Sequence, residues 1–173
     1  MIAANTIQWL NSQDRSALQE TLLRCCGSRW WCEQVAGDSP FADSAALHEA
    51  SDRAMDAMPR DAWLEALESH PKIGDLESLR MKYAGNKEWS GGEQAGVNSA
   101  DEATLVALAE GNETYEQRFG YLFVVCATGK SAAEMLALLQ ERLGNEADEE
   151  FTIACGEQRK ITHLRLDKLE PSA

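Results

Sequence analysis

Apolar residues recur at three- and four-residue intervals along almost the whole chain, and that spacing predicts helices. In SALQETLLRCC, Ala17, Leu18, Leu22 and Cys25 or Cys26 share one helical face, and Gly27 stops the run. Trp31 and Val35 lie four apart in SRWWCEQVA. Ser44 is placed to cap SAALHEASDRAMDAM, where Leu47, Ala50, Ala54 and Met58 keep helical spacing up to Pro59. RDAWLEALESH restarts with Asp61 as its cap and with Trp63, Leu64 and Leu67 inward. It ends at Pro71, which disfavours the α region in the residue before it.

From Lys72 to Gly92 the pattern breaks, with glycines at 74, 85, 91 and 92. That stretch reads as a loop with one short helix around Leu76 to Tyr83. Helical spacing returns from Ser99 through Leu105, Leu108 and Tyr115. FGYLFVVCATG is strand-like in composition, but it is short and follows a helical run, so a buried helix ending at Gly129 is expected there. SAAEMLALLQERLGN opens with a capping box, Ser131 and Glu134, before Leu136, Leu139 and Leu143. A last helix, from about Glu146 to Leu169, turns Phe151, Ala154, Gln158 and Ile161 to one face. No strand alternation, repeat or low-complexity tract appears. The pattern therefore predicts an all-α fold, a single compact domain over 1–173 with about seven or eight helices. The long 72–92 loop marks a candidate functional segment.

Composition narrows the function. The 173 residues can bury roughly 70% of their unfolded surface without staples. With 16 Lys+Arg against 29 Asp+Glu the net charge is −13, and the basic residues are scattered among acids. Nucleic acid and anionic membrane are excluded as expected partners, whereas a small anionic substrate is not. Five cysteines at 25, 26, 32, 126 and 155 make a poor disulfide framework, and they lack zinc-site spacing, so no metal is expected. The N-terminus reads as no signal peptide, and nothing approaches the roughly 18 apolar residues of a membrane span. A cytoplasmic protein with free thiols is expected.

The candidate chemistry is sparse. His48 and His163 lie within charged helices and read as solvated face residues. His70, in LESHPKIGD, sits where Pro71 forces the helix to stop. The helix dipole there favours the protonated form, and a histidine poised near neutrality can donate a proton and recover it. A plain helix-terminal residue is the competing reading, and the local stretch alone favours it. In WSGGEQAGV, Ser90 and Glu93 form a capping box. The intervening Gly91 and Gly92 suit a helix poorly but let backbone amides approach a ligand.

Taken together, these stretches resemble one family. CCGSRWW, SPFADSAAL, WLEALESHPKIGD, SGGEQAGV, NETYEQRFGYLFVVCATGKSAAEML, ERLGNEADEE and KITHLRL are similar to the 2-oxo-4-hydroxy-4-carboxy-5-ureidoimidazoline (OHCU) decarboxylases of urate breakdown. The resemblance covers nearly the whole chain. It implies an all-α homodimer and a cofactor-independent decarboxylation of OHCU to (S)-allantoin and CO2. It implies His70 as the catalytic acid with Glu93 beside it. It further implies a substrate pocket of Pro71, of Ser90, Gly91, Gly92, Glu93 and Gln94, and of Phe123, Val124, Val125, Cys126 and Ala127. Many relatives carry arginine before the Pro-Phe that this chain writes as Ser39-Pro40-Phe41, and some carry a basic residue at Thr128. Contact with the substrate carboxylate is therefore expected from Lys130 or backbone amides. A helical interaction module, with His70 and Glu93 as caps alone, is the rival from another class. Isomerisation or hydrolysis of a related ureide is a second enzymatic one.

Overall fold

In the computed structural model of the chain the residues described are 1–71, 77, 79 and 94–171, with the backbone alone for 94–101. Among them are eight α-helices and no strand, as the apolar spacing predicts. The helices are α1 Ala4–Ser12, α2 Arg15–Leu23, α3 Arg29–Gly37, α4 Ser44–Asp56, α5 Arg60–Glu68, α6 Gln94–Phe119, α7 Ala132–Leu143 and α8 Ala147–Asp167. The short helix expected around Leu76 to Tyr83 lies outside the described residues apart from Glu77 and Leu79, both helical.

Two compact units are formed. The first comprises Met1–His70, Val124–Cys126 and Ile153–Ala173. Within it α3 packs against α2, α4 and α5. Trp31, on α3, is fully buried, and its indole N–H donates to Ser51 Oγ at 3.2 Å. Without that acceptor the buried donor would cost about 1–3 kcal/mol. Ser28 caps α3, accepting from the Trp31 amide, and Asp14 caps α2 in the same way.

Two expected caps are displaced by one or two residues. Ser44 Oγ accepts instead from the Ile2 amide at 3.1 Å, so Asp43 caps α4 by accepting from Ala46 N at 2.8 Å. For α5 the Pro59 carbonyl receives the Ala62 and Trp63 amides, and Asp61 lies inside the first turn, where its charge meets the helix dipole.

Gly27 fixes the end of α5. A Cβ there would lie 2.2 Å from Ser69 Oγ and 2.3 Å from Ser69 Cβ, and Ser69 directly precedes His70. The hydroxyl could rotate away, but Ser69 Cβ is fixed to the backbone and could not. Gly27→Ala is expected to destabilise the protein by about 1–3 kcal/mol through overpacking, read as a lower urea midpoint, and to impair whatever chemistry His70 performs.

The second unit comprises Pro71–Phe123 and Ala127–Thr152. Here α6 packs on α7, and Gly111 lets Leu139 come close, since a Cβ would lie 2.6 Å from Leu139 Cδ2. Ser131 caps α7 by accepting from the Glu134 amide at 3.1 Å, as the capping box predicts. Beneath these helices lies a buried ionic cluster. The Arg142 guanidinium contacts Glu150 Oε2 at 2.5 Å through Nη2 and at 2.8 Å through Nε. Tyr115 OH donates to Glu150, and Asn145 Nδ2 reaches Glu150 Oε1 at 3.2 Å.

The helix expected over FGYLFVVCATG is not formed. Helix α6 ends at Phe119, Gly120 takes the left-handed conformation at φ 83°, and residues 121–127 are neither helix nor strand. A run apolar on every side carries no period, so composition could not separate a helix from an irregular buried segment.

Helix α8 carries a continuous buried stripe. Glu150, Ala154, Gln158, Thr162 and Leu166 recur every four residues, and each is completely buried. Three of the five are polar, so the stripe needs internal partners rather than apolar contact alone.

Candidate active site

Helix α5 closes at Ser69, and His70 follows in a bend before the exposed Pro71. The imidazole is half-buried, with Nε2 2.5 Å from Gln158 Oε1. Gln158 is the third residue of the α8 stripe. Its amide nitrogen donates to Thr162 Oγ1 at 3.1 Å, and the Thr162 hydroxyl donates to the Gln158 carbonyl at 2.9 Å.

Burial pushes the His70 pKa below its ordinary value, the Gln158 contact opposes this, and the positive charge of Arg165 lowers it further. The imidazole is therefore held neutral at neutral pH. This corrects the expectation drawn from the helix dipole: desolvation of the charged form outweighs a dipole effect worth about 0.3–1 kcal/mol at exposed positions.

The second expected segment is tied to the same turn of α8. The Cys126 N–H donates to Glu157 Oε1 at 3.2 Å, and Glu157 Oε2 meets Lys160 Nζ at 2.7 Å. Adjacent residues 157 and 158 thus hold Cys126 and His70 to one turn of α8. Val124 is buried, and Val125, Cys126 and Ala127 are half-buried. In the second unit the Phe123 ring lies under the Arg142 guanidinium, 4.6 Å from its carbon, and meets Tyr115 edge-on at 5.2 Å. Its side chain is thereby engaged in that unit's core. Gln94 opens α6, with its side chain outside the description, and Ser90, Gly91, Gly92 and Glu93 lie outside the described residues.

Glu157, Thr162 and Arg165 lie outside the set of site residues expected from the sequence, in which Gln158 faces inward with no role in the site. A glutamine and a threonine at apolar positions of one helical stripe were the available signal. His48 and His163 also depart from expectation. They stack at 4.8 Å with Nδ1 atoms 2.5 Å apart, and their outer Nε2 atoms meet Asp167 at 2.9 Å and Asp52 at 2.8 Å. Desolvation would raise the Asp52 pKa, but hydrogen bonds from His163 and Arg159 hold it below the usual carboxylate range.

The cysteines carry no disulfide. Burial pushes the Cys25 thiol up to about 12 and those of Cys26 and Cys155 to about 11, which suits packing and not nucleophilic attack. Among the described residues no group of His, Cys, Asp and Glu is placed to hold a metal ion. A polar surface groove lined by Arg15, Gln19, Glu33, Gln34, Gly37 and Asp38 contains none of the expected site residues.

The profile of the OHCU decarboxylase family matches residues 11–167. The chain belongs to the OHCU decarboxylase family. It is 34% identical over 145 residues to the uric acid degradation bifunctional protein TTL of Arabidopsis thaliana, covering 84% of this chain and 45% of that protein. The chain thus spans less than half the length of that plant relative. It is also 34% identical over 132 residues to the 2-oxo-4-hydroxy-4-carboxy-5-ureidoimidazoline decarboxylase of Amia calva, covering 75% of this chain and 74% of that one. A crystal structure of OHCU decarboxylase in the presence of (S)-allantoin superimposes with a TM-score of 0.67 at 32% identity, over 84% of this chain and 94% of that chain. The all-α architecture is that of this family.

Proposed function

We propose that the chain catalyses the cofactor-independent decarboxylation of OHCU to (S)-allantoin and CO2. The observation that carries this reading is a half-buried His70, held neutral by its surroundings and fastened through α8 beside the Cys126 segment, in a chain of this family.

The substrate supplies its own electron sink. Its carboxylate is on a carbon that bears a hydroxyl and adjoins a ring carbon doubly bonded to nitrogen. As the bond to CO2 breaks, its electron pair forms a new carbon–carbon double bond, and the C=N pair moves to nitrogen, which takes a proton from solvent water. The resulting enol must lose its hydroxyl proton and gain one on the neighbouring carbon to become allantoin. A neutral imidazole can do both, taking the first proton and delivering it to one face of that carbon. His70 is therefore a relay rather than a donor charged in advance.

In this reading Glu93 holds the hydroxyl or ureido group. Ser90, Gly91, Gly92 and Gln94 offer amides to carbonyl oxygens, and Pro71 with the backbone of 123–127 lines the ring. Donors fixed in a dry pocket stabilise developing charge better than water does. Arg165, whose charge acts on His70, joins Lys130 as a cation for the substrate carboxylate. Homodimer assembly and a cytoplasmic setting, with no nucleic acid or membrane partner, belong to the same proposal. No helix among the described residues is long and apolar enough to cross a membrane.

The test generates OHCU freshly from urate and follows optically active allantoin by circular dichroism, with and without chelator. Wild type should accelerate formation of the (S) enantiomer under both conditions. No acceleration over the spontaneous reaction would sink the reading, and loss of activity with chelator would sink its metal-free part.

A further inference from the structure

We propose that Gln158, held by Thr162, is a positioning residue that fixes the His70 imidazole as its Nε2–H tautomer and leaves Nδ1 to exchange protons with the substrate. The substrate half of this inference rests on the decarboxylase reading; the tautomer does not.

Thr162 has one hydroxyl proton, and at 2.9 Å the Gln158 main-chain carbonyl takes it. Towards the Gln158 side chain the same oxygen can therefore only accept, and it receives the amide N–H at 3.1 Å. With its NH2 turned to Thr162, Gln158 presents Oε1, a pure acceptor, to His70 Nε2 at 2.5 Å. Two acceptors cannot face each other at that distance, so Nε2 carries the hydrogen. A neutral imidazole has one N–H, which leaves Nδ1 with the free lone pair.

Gln158 and Thr162 are both completely buried one turn apart on α8, so neither can turn to water for another partner. Glutamine also differs from a carboxylate in what it does to the relay. Glutamate at 158 would stabilise the imidazolium and keep the proton that a relay must release. The neutral amide orients the ring without trapping the charge.

The experiment is nitrogen NMR of histidine-labelled wild type, T162V and Q158L above neutral pH, with pH–rate profiles for these and Q158E. Wild type should show His70 protonated at Nε2 and bare at Nδ1. T162V frees the amide to flip, and Q158L removes the acceptor, so both should show mixed tautomers. Each should lose about 10- to 100-fold in kcat with KM changed less than about twofold, part of the usual worth of proton transfer. In Q158E the acid limb of kcat/KM should move up by about one pH unit or more. An Nδ1–H tautomer in wild type, or a wild-type tautomer and pH profile in all variants, overturns the inference. If wild type shows the Nε2–H tautomer yet forms no allantoin, the decarboxylase reading fails, the substrate half falls with it, and the tautomer lock stands.

Discussion

Replacing His70 with asparagine is expected to lower kcat/KM for freshly formed OHCU by about 10²–10⁴-fold, the usual worth of a proton-transfer group. Stability at neutral pH should change far less, because the half-buried ring is uncharged there and leaves no orphaned ion behind. Asparagine keeps a polar group near Gln158 without any group able to relay a proton. The pH dependence supplies a second signature. The His70 pKa is lowered from 6.5 in the folded chain. Below that ordinary value the unfolded chain binds a proton that the native chain refuses. Stability is therefore undiminished above about pH 6.5, declines as pH falls through it towards the depressed folded value, and levels off below. His70→Asn should flatten that portion of the stability curve. In the proposed relay the neutral ring is the working form, so the acid limb of the wild-type rate profile should lie below pH 6.5. Urea unfolding and initial rates from about pH 5 to 8 measure both. A variant with the wild-type rate would remove the histidine from the mechanism.

The reach of the sequence differs from element to element for physical reasons. Helices α2 to α5 and α7 are amphipathic, so the apolar period places the helices themselves, but in α7 the buried face is Ala132, Met135, Leu139 and Arg142, with Leu136 and Leu143 only half-buried. Caps are less secure, because Asp43 and Ser44 are equally good acceptors side by side. A long-range contact, Ile2 N–H to Ser44 Oγ, decides between them. The stretch from Phe119 to Ala127 is apolar on every side, and the decision rests on Gly120 and on Glu157, an acceptor 31 residues from Cys126. His70 could be singled out because Pro71 fixes the chain around it. Its charge state could not be, since that depends on burial and on Gln158, 88 residues along the chain. Local rules favour the imidazolium, and the tertiary surroundings reverse them. Glu93 and its neighbours were legible through the family resemblance, and their roles stand as proposals.

Arg142→Leu is expected to cost about 3–5 kcal/mol of folding stability, the largest loss of any single change considered, because it strands a buried carboxylate. Glu150 is completely buried, and the Arg142 side chain is 6% exposed. Their contact is a forked one, with both Nε and Nη2 on the carboxylate. The Tyr115 phenol is pushed well up by burial and by the Glu150 carboxylate, so it stays a donor at every working pH. It cannot neutralise Glu150 by itself. Arg142→Lys keeps the charge but loses the planar fork, and should fall between wild type and leucine. Urea unfolding measures the ladder, and a loss below about 1 kcal/mol for Arg142→Leu would mean that the pair is solvated in solution. The double change Arg142→Leu with Glu150→Leu should lose less than the sum of the singles, by about 0.5–3 kcal/mol, since neither charge is then left unpaired. Replacing such a pair with apolar residues is often neutral for stability, so stability alone does not account for its place here. The same guanidinium lies on the Phe123 ring at the head of the 123–127 segment. The double variant separates the two roles: if it folds near wild-type stability and still turns over OHCU poorly, the pair serves to hold Phe123 in place.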